Sequence, residues 1–252
     1  MAGFGIFLRA QLLPDWLAWE CFGEGNGAPS LQALRDRIHR HRQKNRIGGG
    51  DPPTIGCIVL SSPVFFERAD WVRQPADWKR NVVSGATYDL DSGEGRRVFL
   101  ECRQRASMSS AQPSIEEALA AYGAGRIVQP RLGQGSFKLV VAEAYDQACA
   151  VTREHSLPAL EAAHIRPYSL EQRHEIRNGL LLRSDVHGLF DRGYVTIDPD
   201  HRFVVSRRLK DDYHNGKSYY PLHGRKIYLP ERAAARPDPS RLEWHREQRF
   251  LG

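Results

Sequence analysis

Cysteine is scarce: four in 252 residues (Cys21, Cys57, Cys102 and Cys149), far apart and with no C-x-x-C pair. That excludes a disulfide scaffold and a zinc knuckle, and fits a reducing compartment. There is no internal repeat and no long apolar run. The opening Met1–Leu13 is broken by Arg9 and followed by Asp15, so it reads as structure and not as a signal or a membrane span. No tail carries charge of one sign: residues 1–105 hold 15 basic and 12 acidic side chains, and residues 106–252 hold 21 and 18. Hydrophobics at 41% and charged residues at 26% exclude wholesale disorder, collagen and coiled coil. What is left is a cytoplasmic globular chain with no membrane partner. Its formal charge of +6 permits phosphate partners without demanding them.

The length suits two modest domains. The boundary is expected over residues 106–129, where ASMSSAQPS and YGAGR bracket a short helical patch whose Ser114 and Glu117 fit a capping box. Residues 1–105 form the first domain and 130–252 the last. In the first, GFGIFLRA, TIGCIVL, NVVSGATYDL and RRVFLEC read as β-rich runs. Residues 30–45 read as a helix capped by Ser30, with Leu31, Leu34 and Ile38 on one face and Arg35, Arg37, Arg40, Arg42 and Lys44 around it. Gly48-Gly49-Gly50 ends it. A small mixed barrel or curled sheet with flanking helices follows from this pattern. In the last domain, residues 136–149 read as a helix, LPALEAAH and NGLLLR as strands, and SDVHGLFDRG as a short helix between an N-cap Ser184 and a terminator Gly193. YVTID and FVVS make a hairpin; beyond residue 207 no structure is legible.

Residues 160–191 carry the chemistry. His164 ends a strand, Asn178 opens the next, and His187 and Asp191 lie i, i+4 on one helical face. An imidazole and a carboxylate so placed can grip one divalent cation while leaving positions open for substrate oxygens. The order His, Asn, His in LEAAHIRPYS and RNGLLLRSDVHGLFDRGYVTID resembles the HNH endonucleases, whose module is a ββα-metal finger. The resemblance covers residues 131–206. It implies an α+β fold and a DNA phosphodiesterase with one divalent ion, Mg²⁺ or another such as Mn²⁺. By the same resemblance His164 is the general base, Asn178 ties the loop between the strands, and His187 and Asp191 hold the metal. One position departs: many members carry Asp or His just before the base, and here Ala163 stands there, so water or Glu161 fills the gap. Arg166 and Arg183 beside the site are candidate phosphate contacts, as are Arg173 and Arg177 in its loop.

The front half is rich in aromatics, among them Trp16, Trp19, Phe65 and Phe66. The run from PVFFERADW to YDLDSGEG is similar to segments found ahead of HNH modules in modification-dependent restriction enzymes, which implies a PUA/SRA-like base reader. Trp71, Trp78 and Tyr88 would supply stacking faces for a flipped base, and Asn81 or Asp89 a polar edge; plain core packing is the competing account of these rings. The expected whole is a restriction endonuclease acting on double-stranded DNA, modified or not, as defence against foreign DNA. A double-strand break needs a homodimer or two successive encounters. Two other readings stay open: a silent DNA-binding protein that keeps the fold, and an HNH nuclease of mobile-element or toxin type without modified-base preference.

Overall fold

The computed structural model describes residues 1–47, 54–79, 85–107, 133–171 and 174–252. Asn81, Arg173, Gly48-Gly49-Gly50 and the patch around Ser114 and Glu117 lie outside them. The chain forms two units that do not follow a single cut: Met1–Leu13 with Thr54–Arg131, and Pro14–Pro53 with Leu132–Gly252. No described helix is long and apolar enough to cross a membrane.

In the first unit, β1 (Gly3–Pro14) pairs with β2 (Thr54–Phe65) in a two-stranded sheet. Phe66 N–H donates to the Ala2 carbonyl at 2.7 Å, which sets the strands antiparallel. The RRVFLEC run, expected as a strand, is helical and belongs to α3 (Gly93–Ser107). Its apolar residues alternate poorly but recur at three to four, so Val98, Cys102 and Ala106 share a buried face that meets Val64, Val72, Phe4 and Phe66. Only the 85–90 part of NVVSGATYDL is described, and it is irregular. Among the described residues the barrel expected here is one antiparallel pair with a helix.

The second unit opens with α1 (Asp15–Phe22) and α2 (Leu31–Asn45). Ser30 caps α2 as expected, its hydroxyl accepting from Ala33 N–H at 3.1 Å. Arg35 is committed to the fully buried Asp15 at 2.6 Å, so the basic face of α2 is partly structural. Next come α4 (Gln134–Ala144), β3 (Leu160–His164), α5 (Tyr168–Glu171), β4 (Gly179–Arg183), α6 (Ser184–Asp191), β5 (Val195–Ile197), β6 (Phe203–Val205), α7 (Arg208–Tyr213) and α8 (Pro239–Gln248). α4 stops before the expected Cys149, because Asp146 and Gln147 turn left-handed (φ 54° and 55°). Tyr145 and Ala148 stay buried all the same. The cap of α6 is Arg183, with Ser184 its first helical residue and no side-chain cap.

Gly193 ends α6 as expected, and two constraints fix it. Its φ is +79°, and a Cβ there would stand 2.1 Å from the Arg249 carbonyl oxygen. Gly193→Ala is therefore expected to cost about 2–4 kcal/mol, read as a fall of several degrees in Tm.

Candidate active site

Strands β3 and β4 pair antiparallel in the register Leu160↔Arg183 through His164↔Gly179. Gly179 to Leu182 are buried throughout, which anchors the hairpin. Opposite His164, Gly179 has no Cβ; one would lie 2.5 Å from Val141 and 3.0 Å from Phe137. That space lets α4 lie over the hairpin. The Phe137 ring stacks on the His164 imidazole, centroids 4.1 Å apart and planes within 11°.

Asn178 is fully buried and ties the strand ends. Its Oδ1 accepts from Arg166 N–H at 2.8 Å, its Nδ2 donates to the Arg166 carbonyl at 2.8 Å, and its own carbonyl accepts from Ile165 N–H at 2.9 Å. The backbone leaving His164 is thus pinned within two residues.

α6 follows β4 directly, with Val186 and Phe190 inward and His187 and Asp191 one turn apart. Glu161 Oε2 lies 2.6 Å from His187 Nδ1, and Asp191 Oδ2 lies 3.3 Å from His187 Nε2. Burial works against the charged imidazole, but hydrogen bonds and charge from Asp191 and Glu161 outweigh it and raise the His187 pKa. Burial likewise opposes ionised Asp191, and His187 more than offsets it, leaving that carboxyl low.

A cavity of about 730 Å³ gathers His164, Glu161, His187 and Asp191, with Lys138, His245 and Arg249 also on its wall. Burial, then the charges of His174 and His187, lower His164 to about 4, against a small upward pull from Asp191. Its imidazole is therefore neutral at pH 7.

Among the described residues no three His, Cys, Asp or Glu side chains surround one point as a ready cation cage. The reason is geometric: the two carboxylates sit at opposite nitrogens of one imidazole. The set still suits a hard divalent ion. One carboxylate and the adjoining His187 nitrogen make a nitrogen–oxygen pair, and the other carboxylate fixes the ring from its far nitrogen.

The structure separates the other expected residues. Arg183 is held by Asp185 through two 2.6 Å contacts, and Tyr219 Oη donates to the same carboxylate at 2.9 Å. Arg166 faces Glu171 at 3.5 Å and Trp244 at 5.4 Å, and is not on the cavity wall. Trp71, Trp78 and Tyr88 lie in the first unit, while Trp16 and Trp19 lie on α1 in the second. Trp71 is half exposed, its indole N–H donating to the Phe66 carbonyl at 3.2 Å; Tyr88 Oη donates to Asp77 at 3.0 Å.

Sequence reasoning missed His174, Lys138, Arg249 and His245. His174 sits in a loop, where no periodicity marks it. Lys138 lies on α4, paired with Glu20 at 2.6 Å. Arg249 and His245 come from the stretch beyond residue 207 where no structure is legible in the sequence, although Asp238 before Pro239 is a helix-start signal and Asp238 does cap α8. His245 is 2% exposed and stacks on Phe190 at 3.7 Å. Its Nε2–H donates to the Phe190 carbonyl at 3.1 Å, and its Nδ1 accepts from Thr196 Oγ1 at 2.9 Å. Burial takes its pKa down to about 4.

A histidine depressed in the folded state gives stability that is complete above its ordinary 6.5 and lost as pH falls towards 4. For His245 this amounts to about 3 kcal/mol. His164 adds in the same sense; His187, being raised, works oppositely and only above 6.5. Tm is expected to drop steadily from pH 6.5 to 4, and to drop less steeply in His245→Gln.

Residues 149–198 match the family model described as HNH endonuclease. Among solved structures, one described as a modification dependent TagI restriction endonuclease is similar at 23% identity, over 52% of this chain and 43% of that one, with a TM-score of 0.33. The chain thus spans less than half of that protein's length. No curated protein matches the chain.

Proposed function

We propose that the phosphodiester hydrolase domain formed by these HNH residues is metal-dependent, cuts double-stranded DNA, and is directed by the first unit to modified bases as defence against foreign DNA. DNA is the substrate class that the HNH endonuclease family implies. The observation that carries the reading is that one cavity holds a neutral imidazole, His164, together with Glu161, His187 and Asp191.

His164 takes the proton of the attacking water, the water oxygen bonds phosphorus, and the P–O3′ bond breaks, with the departing oxygen protonated by solvent. A divalent ion, when bound, neutralises charge on the phosphate and on the departing oxygen. His187 with Glu161 or Asp191 would hold it, and Glu161 would take over the role left open by Ala163: on β3 the two share a face two residues apart. Asn178 keeps the base in place. Arg249 on the cavity wall serves as a phosphate contact in preference to Arg166 and Arg183, whose cations are already engaged within the protein; Lys138, also on the wall, must first leave Glu20.

For the first unit, support comes from how the segment bearing Trp71 and Trp78 is held. Arg97 of α3 donates to the Arg73 and Gln74 carbonyls at 3.3 and 3.2 Å and pairs with Glu94 and Glu101 at 2.8 Å each. Glu94 accepts from Ala76 N–H at 2.6 Å; bonds from Arg97 and Ala76 hold its carboxyl down to about 2. A half-exposed indole on a strapped segment suits a stacking face better than a core position. A PUA/SRA-like reader using Trp71, Trp78, Tyr88 and Asn81 is the matching proposal.

The test is digestion of duplexes with plain, methylated and hydroxymethylated cytosine, with Mg²⁺ or with EDTA, and with His164→Ala as control. Cutting is expected only with the metal and only on a modified duplex. Equal cutting of all duplexes removes the base reader and leaves the nuclease. Binding without cutting under every condition makes the chain a silent DNA-binding protein. Plasmid that is only nicked at saturating enzyme counts against dimeric cleavage.

A further inference from the structure

Between β3 and β4 the structure places a second histidine against the first. His164 Nε2 and His174 Nδ1 are 3.0 Å apart. Both rings are clamped from outside: His164 lies on Phe137, and His174 stacks on Tyr168 with centroids 4.3 Å apart and planes within 15°. The residue after His174 is anchored too, since Glu175 pairs with Arg241 of α8 at 2.7 Å. Stacking fixes the plane of each imidazole, and the nitrogen–nitrogen hydrogen bond fixes its rotation within that plane.

We propose that His174 is the positioning residue of the base: it accepts the Nε2–H of His164 and so holds that ring in the tautomer whose Nδ1 lone pair is open to the cavity. The inference rests on the nuclease reading above and deepens it. A neutral imidazole has one donor nitrogen and one acceptor. If the shared proton sat on His174, the single proton of His164 would sit on Nδ1, and the ring could take no proton from water. With the proton on His164 Nε2, Nδ1 receives the water proton, and the imidazolium that results keeps the same bond to His174 and gains a cation–π contact with Phe137. Phosphorus chemistry is unchanged: the base alone carries the extra proton until solvent removes it.

A histidine partner also differs in kind from a carboxylate. A carboxylate against Nε2 would favour the charged ring and raise its pKa, whereas neutral His174 orients without adding negative charge. The base then stays unprotonated through the neutral range, next to a second imidazole, His187, that is pulled the other way by Glu161 and Asp191.

Two readouts on the full chain decide it. Two-bond ¹H–¹⁵N correlation of histidine-labelled protein at pH 7.5, with His164 assigned by its loss in His164→Ala, should show the Nε2–H tautomer. His174→Ala should turn it into a mixture, and His174→Asn, whose amide oxygen accepts near the former Nδ1, should restore it. In plasmid cleavage His174→Ala should lower kcat by about 10- to 100-fold with KM unchanged, and His174→Asn should recover most of that loss. An Nδ1–H tautomer in the wild type overturns the inference, as does a His174→Ala variant as fast as wild type, or an Asn variant as slow as the Ala one. A wild-type chain that cuts no DNA overturns the nuclease reading instead; the tautomer measurement still decides whether His174 holds the ring.

Discussion

His164→Ala is expected to lower the rate of DNA cleavage by about 10²–10⁴-fold, the usual contribution of a placed proton acceptor, while the chain stays folded. The side chain is half-buried against Phe137, so its removal leaves a gap worth about 1–2 kcal/mol. That loss is too small to unfold a unit whose hairpin core runs from Gly179 to Leu182 without an exposed residue. Single-turnover cleavage beside a thermal melt separates the two effects; a variant that cuts at the wild-type rate removes His164 from the chemistry. The pH profile of the wild type carries a second expectation. A base lowered to about 4 is neutral everywhere above pH 5, so it does not set the acid limb of activity. His187 does, because its pKa is raised and its proton competes with a divalent cation for the same ring nitrogen. The limb should lie above pH 6.5 and move to lower pH as Mg²⁺ is increased; a limb near 4, indifferent to metal concentration, would reverse these roles.

The part of the molecule legible in the sequence is the part where local pattern and tertiary role coincide. LEAAH and GLLLR have the apolar content and spacing of a buried hairpin, and the i, i+4 pair His187 and Asp191 needs only a helix to share a face. Where through-space packing decides, the sequence is silent. His174 meets His164 at a separation of ten residues, and nothing in RHEIRN distinguishes it from a solvated histidine. Arg183 and Asp185 are two residues apart, yet only coordinates show that they neutralise one another, turning a candidate phosphate contact into an internal pair. RRVFLEC failed for a different reason. Val98, Phe99, Leu100 and Cys102 are favourable to strands, but Glu94, Arg97, Glu101 and Arg105 form a ladder of ion pairs at helical spacing, and that pattern extends beyond the seven residues read. The division into units was hidden as well, since Pro14–Pro53 joins the C-terminal unit, and the α1 backbone at Cys21 passes so close to Gly135 of α4 that a Cβ there would lie 1.9 Å from the Cys21 carbonyl oxygen.

Asn178→Ala is the substitution expected to damage both stability and rate, and for one cause. The side chain is the only group the structure offers to both the N–H and the carbonyl of Arg166 at hydrogen-bond distance among the described residues. Truncation leaves a donor and an acceptor unmet at a buried position, at about 1–3 kcal/mol for each group that water does not reach. A Tm lower by several degrees follows. The same truncation frees the backbone two residues beyond His164, so the base can wander from its place on Phe137. Misplacement of about 1 Å is enough to cost about 10²-fold in rate, and the loss should fall on kcat, because no phosphate contact is removed. Asn178→Asp separates the two hydrogen bonds. It keeps an acceptor for Arg166 N–H and turns the former donor into an oxygen facing the Arg166 carbonyl, which puts a charge in a fully buried position. It should therefore be no better than alanine in stability, although its shape is that of asparagine. If instead Asp behaves like wild type while Ala does not, the N–H of Arg166 alone needs the tether, and the carbonyl half of the clamp is dispensable.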